Sequence, residues 1–449
     1  MLIKRTTTPL QGQKIRVPYD ISYLDFTLPD TMQATLVISQ PAEPVKDVTG
    51  MINQALAHPI GTKPLHALAG PGTRVCIVFT DITRACPDHL LVPALLGELE
   101  KAGVMDENIT LLCGIGMHRP STLDEKNIKL GARIVERYHV IDNEPQNPLV
   151  LVDLGSTLSG VPVQLHCAVV EADLVITTGI VEPHQYAGYS GGHKTVAIGA
   201  AGEKTIAYTH GPEFIDNPCT RLGRIKRNPF HEALVEAARR ANLGFILNVV
   251  LDDEKRVLCV HAGEPDRAFE ELVNFAESIY KVPIPHQYDI AIGGVGFPKD
   301  INLYQASRAP SYLFFAPTPV VRPGGFLIIP ARCEEGVGSG VGEQRFLAAM
   351  RDAPNIQFIL DDARRNGYPP GQQRAFVMAK VLEQARVVIV GSDCPDLVTA
   401  CKMIPAATIE AALALASKEL GSSCDVLVVP HALLTLPVIE SNNPVGTLV

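Results

Sequence analysis

The stretch DLVITTGIVEPHQYAGYSGGHKT, residues 173–195, opens with an apolar run in which polar and apolar residues do not alternate. A strand with one solvated face alternates, so 173–178 reads as a strand buried on both faces, the pattern of parallel strands covered by helices. The same character recurs at 74–81, 109–114, 148–153, 244–251, 288–293, 325–330, 385–391 and 425–430. Segments of helical period lie between these runs. In 265–280, Phe269, Leu272, Phe275 and Ile279 fall near one face and Pro265 suits a first turn. Residues 228–242 open with Asn228 as N-cap and Pro229 at the first helical position. Strand and helix in alternation predict an α/β protein with mostly parallel or mixed sheets.

The chain is 449 residues long, enough for more than one domain. KVPIPHQ at 281–287 places two prolines after a helix and before a fresh strand, and reads as a linker. The expectation is therefore an N-terminal α/β domain over 1–280 and a C-terminal α/β domain over 281–449. Lys and Arg number 39 against 48 Asp and Glu, and the net charge of −9 excludes a nonspecific nucleic-acid binder. No apolar run approaches the roughly 18–20 residues that span a bilayer, so no membrane role is expected. The N-terminus, MLIKRTTTPLQGQKIRVP, has no apolar signal core, which points to the cytoplasm. The 10 cysteines are scattered without C-x-x-C or zinc spacing and read as reduced, mostly buried thiols.

Ligands of open α/β sheets bind beyond the carboxyl ends of the strands, and four of those ends carry polar groups. VCIVF is followed by Thr80-Asp81-Ile82-Thr83-Arg84, TLLC by GIGMHRP with His118, DLVITTG by IVEPH with His184, and DIAIGG by VGFPKD, then Asn302, Gln305 and Arg308. After His184 come Gly188, Gly191 and Gly192, then Lys194; three glycines in five residues let a backbone approach a ligand and present N–H groups to an anion. A P-loop needs glycine immediately before its lysine, yet His193 stands there, and Glu203 precedes Lys204. ATP hydrolysis is disfavoured, and no G-x-G-x-x-G opens a helix after a strand. Plainer readings stand beside these. A lone histidine after a strand, as His118 is, is more often a hydrogen-bonded structural residue than a catalyst, Asp81 reads equally as a cap of the next helix paired with Arg84, and the glycines read as an ordinary tight loop. Lys194 and His210 are unremarkable singly, His231 reads as a helix-face residue, and His261, His286 and His431 have no motif.

Together, DITR, GMHRPST, EPHQYAGYSGGHKTVAIGAAGEKTIAYTH and FPKDINLYQASRA resemble the nickel-dependent lactate racemase family, collinear with it from about residue 70 to 310. The resemblance implies racemases or epimerases of 2-hydroxy acids, with a site in a cleft between two α/β domains. It implies a covalently attached nickel-pincer nucleotide, a pyridinium mononucleotide whose two sulfurs and a ring carbon bind nickel beside one protein histidine. By resemblance, Lys194 carries the thioamide link, His210 is the nickel ligand, and His118 and His184 are the paired acid/base groups. Arg84, Gln305 and Arg308 match substrate-orienting positions, and Asp81, Arg84, Gly188, Gly191 and Gly192 the nucleotide's surroundings. The resemblance also implies partner proteins that make the cofactor and insert nickel, without which recombinant protein would be unloaded; a homo-oligomer is left open.

The chemistry agrees with that resemblance. The hydrogen on a carbon bearing hydroxyl and carboxylate is a very weak acid, so inversion through the 2-oxo acid, by proton loss and hydride transfer, avoids removing it as a proton. A base near neutral pKa is needed for each enantiomer, which imidazole provides, and arginine holds a carboxylate bidentately. The chain departs from the lactate enzymes in carrying Arg308 for a lysine, DITRA for DHTRP, and His193 where an arginine often precedes the lysine; Arg308 suits a larger or more acidic hydroxy acid. Two rival readings are a zinc hydrolase using His118, His184 and His210, and a nucleotide- or metal-binding homologue without turnover.

Overall fold

The structure, a computed structural model, describes residues 7–10 and 14–440. It has two compact units. One comprises Pro41–Thr220 and Arg224–Ile279; the other comprises the described residues up to Gln40, then Arg221–Gly223 and Tyr280 onward.

In the first unit a six-stranded sheet runs in the order Val257–Gly263, Leu243–Leu251, Leu174–Ile180, Val75–Thr80, Ile109–Gly114, His139–Asp142. Every neighbouring pair is parallel except the first, which is antiparallel. Every residue of Val75–Thr80 and of Leu174–Ile180 is buried, which is why these runs do not alternate. The chain leaves Val75–Thr80 toward one edge and returns to its other side with Leu174–Ile180. The crevice beyond these two strands is the switch point where such sheets bind ligands. Helix Pro265–Tyr280 buries Ala268, Phe269, Leu272, Val273, Ala276 and Ile279, the spacing of one helical face.

In the second unit the sheet order is Thr7–Leu10, Gln33–Val37, Asp425–Val429, Tyr288–Gly293, Val321–Pro330, Arg386–Val390, Ile404–Ala406, parallel throughout except at the first pair. Three expectations are corrected here. Residues up to Gln40 do not belong with the rest of 1–280, because Gln33–Val37 pairs in parallel with Asp425–Val429, Ala34 opposite Val426. The 281–287 segment is not only a linker: Lys281–Ile284 is a strand parallel to Leu436–Ile439. The 148–153 run is not a doubly buried strand; Leu151–Ser156, half-buried to exposed along its length, pairs antiparallel with the more buried Pro162–His166.

Asn228 caps helix Pro229–Arg240, its oxygen accepting from the amides of Phe230 and His231. Cys167, Cys219 and Cys394 are half-buried, the other cysteines are buried, and none is in a disulfide. Among the described residues no helix is long and apolar enough to cross a membrane.

Candidate active site

Asp81 follows the Val75–Thr80 strand and is 5% exposed. One carboxylate oxygen accepts from the Thr83 amide (3.0 Å) and hydroxyl (2.6 Å), and the other lies 2.5 Å from Nδ1 of His118. Asp81 therefore does not cap the following helix, whose N-cap is Pro87 and has no side-chain cap. Burial alone would raise the Asp81 carboxyl, but His118, Thr83 and Arg84 outweigh it and hold it at about 2. A carboxylate facing Nδ1 makes that nitrogen the donor and leaves Nε2 of the half-exposed His118 ring as the acceptor. Arg84 belongs to the same turn, its amide donating to the Asp81 carbonyl at 3.1 Å.

Pro183–His184 pairs antiparallel with Gly188–Tyr189, so residues 184–188 close a tight loop. Nδ1 of His184 accepts from the amides of Tyr186 (3.3 Å) and Ala187 (3.1 Å). That nitrogen is therefore the acceptor, which leaves Nε2 as the ring nitrogen that carries the hydrogen in the neutral imidazole. The glycines of this loop and its continuation answer to the chain's own packing. At Gly188, φ is +79° and a Cβ would sit 2.2 Å from the Arg224 carbonyl oxygen. At Gly191, φ is again +79° and a Cβ would meet Asn248 Oδ1 at 2.7 Å; at Gly192 it would meet the Phe269 ring at 2.6 Å. The Gly192 amide donates to Asn248 Oδ1 at 2.8 Å, so this N–H is already used within the protein.

Lys194 lies in the short helix His193–Ala197, capped by Gly192. His193 is buried against Asp266, Nε2 to carboxylate 2.8 Å, and packs edge-on to Phe269. His231 stacks on Phe269, and burial with the nearby His193 pushes its imidazole down to about 4. The two histidines pack edge-on to each other, both against Phe269. His210 ends helix Glu203–Thr209. Its Nδ1 donates to the Ile206 carbonyl at 2.9 Å, and its ring packs edge-on to Tyr186 and Phe230. Burial, reinforced by the nearby Lys194 ammonium and opposed by the Ile206 carbonyl, pushes His210 down to about 4. Tyr186 stands between His184 and His210, with ring centroids 5.8 and 5.6 Å away.

The first unit thus brings together Asp81, Arg84 and His118 in one set, and places His184 and His210 on either side of Tyr186, with the Lys194 ammonium acting on His210. Gln305 and Arg308 lie in the other unit, where the Asn302 side chain caps the Gln305 amide at 2.9 Å and Arg308 opens helix Arg308–Phe314. Among the described residues no three His, Cys, Asp or Glu side chains converge as a metal set, so the zinc reading lacks its triad. One residue was missed from the sequence, and a second was read there only as a helix cap. Asn248 holds the glycine loop by the bond to Gly192 and by donating to the Thr177 carbonyl at 3.3 Å; a lone amide inside the run 244–251 was the signal. Asn228 ties the His184 loop to its helix, donating to the carbonyls of Tyr186 (2.7 Å) and Arg224 (2.8 Å).

A two-unit α/β protein with a lysine and a neutral histidine at the switch-point side of one sheet is the class these observations define. Family models for the lactate racemase N-terminal and C-terminal domains match residues 19–223 and 285–436. The lactate racemase of Thermoanaerobacterium thermosaccharolyticum is 31% identical over 419 residues, covering 93% of this chain and 97% of the relative. That of Lactiplantibacillus plantarum is 33% identical over 427 residues, covering 93% and 98%. The structure of the lactate racemase apoprotein from T. thermosaccharolyticum superposes with a TM-score of 0.83 at 30% identity, covering 96% of this chain and 100% of that one. A Thermotoga maritima protein shares the fold, with a TM-score of 0.65 at 18% identity. The chain belongs to the lactate racemase family, and it is an isomerase.

Proposed function

We propose that the protein racemises or epimerises a 2-hydroxy acid, lactate or a larger relative, with a nickel-pincer nucleotide attached at Lys194. The observation that carries this reading is the state of His210. A metal-bound imidazole is neutral and gives its other N–H to a carbonyl or carboxylate. Burial and the nearby Lys194 push the His210 imidazole down to about 4, and its Nδ1–H goes to the Ile206 carbonyl, which makes Nε2 the nitrogen that would ligate a metal. The residues present therefore fit the group: Lys194 would hold it covalently and His210 would ligate its nickel, a metal that imidazole and sulfur donors suit. When bound, the group supplies the hydride acceptor.

The protein's own groups do the rest. Arg84 pairs with the substrate carboxylate, which fixes the hydroxyl-bearing carbon relative to the two imidazoles. Nε2 of His118 takes the hydroxyl proton, and Asp81, ionised at every physiological pH, stabilises the imidazolium that results. His184 exchanges its proton at Nε2 for the opposite enantiomer. The 2-oxo acid between them is planar, and return of hydrogen to its other face inverts the centre. Gln305 and Arg308 orient the rest of the substrate. The preparation of the cofactor and nickel insertion require partner proteins.

The test is intact mass and metal analysis of protein made alongside the cofactor-synthesis enzymes. An adduct on Lys194 with stoichiometric nickel, together with conversion of one pure hydroxy-acid enantiomer to the racemate, is expected. An unmodified Lys194 without nickel, in a host that loads a known family member, refutes the reading.

A further inference from the structure

Lys129 is 5% exposed, although lysine is almost never buried without partners. It is the second-last residue of helix Leu123–Leu130, which follows the His118 loop and starts with a Thr122–Glu125 capping box. Its side chain leaves its own helix and ends under the segment 81–87, which joins the Val75–Thr80 strand to helix Asp88–Lys101 and has no strand or helix hydrogen bonding of its own. There Nζ lies 2.6 Å from Asp88 Oδ2 and donates to the Cys86 carbonyl (2.9 Å), the Thr80 hydroxyl (3.0 Å) and the Arg84 carbonyl (3.2 Å).

Asp88 is fully buried and completes the network. Its carboxylate accepts from the Thr80 hydroxyl at 2.6 Å, the Thr178 hydroxyl at 2.5 Å and the Cys86 thiol at 3.3 Å. Thr80 and Thr178 sit on the two strands that flank the switch point. A buried ion pair is weak as a stabiliser, since an apolar pair of the same volume often does as well. What an apolar pair does not do is supply a donor to the Arg84 carbonyl and a second donor to the Cys86 carbonyl, which also accepts from the Asp88 amide at 2.9 Å. Holding those carbonyls fixes the backbone from which the Arg84 guanidinium projects.

We propose that Lys129, with Asp88 as its counterion, is a positioning residue for Arg84 that sets the conformation of the 81–87 segment from beneath. The inference rests on the reading of Arg84 as the residue that takes the substrate carboxylate. It also explains why the helix carrying Lys129 follows the His118 loop directly: one side chain ties the two strand-end segments that carry Arg84, Asp81 and His118.

The test is the double variant Lys129→Met/Asp88→Asn, which removes both charges and so leaves no unpaired buried ion. It is compared with wild type and Arg84→Ala in three measurements: thermal unfolding, hydrogen exchange of the 81–87 amides, and KM and kcat of the cofactor-loaded enzyme. Expected are a melting temperature close to wild type, exchange in 81–87 faster by about tenfold or more, and KM raised about tenfold with kcat much less changed, the signature of lost uniform binding. Adding Arg84→Ala to the double variant should then raise KM little further, because both changes remove one contact. Native exchange in 81–87, or an unchanged KM while Arg84→Ala alone raises it, overturns the positioning role. An Arg84→Ala enzyme with wild-type KM instead overturns the reading of Arg84, and the exchange measurement, which needs no substrate, separates that failure from the other.

Discussion

Replacing Asp81 by asparagine keeps the side chain's size and its contacts with Thr83 but removes the charge that faces His118. The carboxyl is held at about 2 in the folded protein, below its ordinary 3.8, even though burial opposes the lowering. At about 1.4 kcal/mol per unit, that is an order-of-magnitude contribution of about 2 kcal/mol. Because the folded value is depressed, the contribution is fully present above about pH 4 and is lost as pH falls from there toward 2. Urea unfolding at a series of pH values checks this. It should be followed through exchange of the Val75–Thr80 amides, so that it reports the unit containing Asp81 and not a mixture of two units. The variant should be less stable than wild type by about 2 kcal/mol at pH 6–7, and the gap should close toward pH 2. A gap of the same size at pH 3 and pH 7 would mean that packing, not charge, carries the effect, and the electrostatic account would fall. The same variant should lose about a hundredfold or more in turnover, because the imidazole loses both its orienting acceptor and the counter-charge of its protonated form.

Gly188→Ala should lower the melting temperature well beyond Gly131→Ala. Both positions have positive φ, but a Cβ at 131 meets nothing within 4 Å whereas at 188 it overlaps the Arg224 carbonyl. Backbone strain alone, about 1–2 kcal/mol, is expected at 131, and equal losses at both sites would contradict the clash. Asn248→Ala should cost about 1–3 kcal/mol by leaving the Gly192 amide buried and unpaired, and should reduce the fraction of protein carrying an adduct at Lys194 by intact mass. Arg308→Lys should shift preference across a panel of hydroxy acids toward small monocarboxylates; an unchanged profile removes the support for a larger or more acidic natural substrate.

Much of the fold was legible because a parallel strand covered on both faces announces itself locally. Val75–Thr80, Ile109–Gly114, Leu174–Ile180 and Leu243–Leu251 are read from residues within the strand alone, and the switch-point rule then directs attention to the residues just beyond each carboxyl end. The errors arise where the deciding contact is distant. Nothing within QATLV at 33–37 says that its neighbour is Asp425–Val429, and nothing within KVPI says that Leu436–Ile439 lies beside it. Conversely, the 148–153 run is apolar enough to look like a core strand, yet it lies on a hairpin whose exposure is set by what fails to cover it. The edge strand Val257–Gly263 turns antiparallel, a choice fixed by the short connection from Leu243–Leu251 and not by its own residues.

The same distinction governs the site. The candidate site residues stand at strand ends, where a polar group interrupts an apolar run, and Asp81, His118 and His184 are singled out that way. Residues that hold those groups in place are defined by a partner, and the partner is remote: Lys129 is 49 positions from Thr80, and Asn248 is 56 from Gly192. The glycines show the cost of reading one side of a contact. Their spacing suggests a cradle for an anion, yet each Cβ position is filled by Arg224, Asn248 or Phe269, so packing alone requires glycine there. A bare cluster of glycines therefore says that something approaches the backbone closely, and only the fold says whether that is a ligand or the chain itself. Lys129 is the converse case. A lysine near the end of an amphipathic helix reads as a solvated cation, and only its burial against two main-chain carbonyls turns it into a residue that shapes the site.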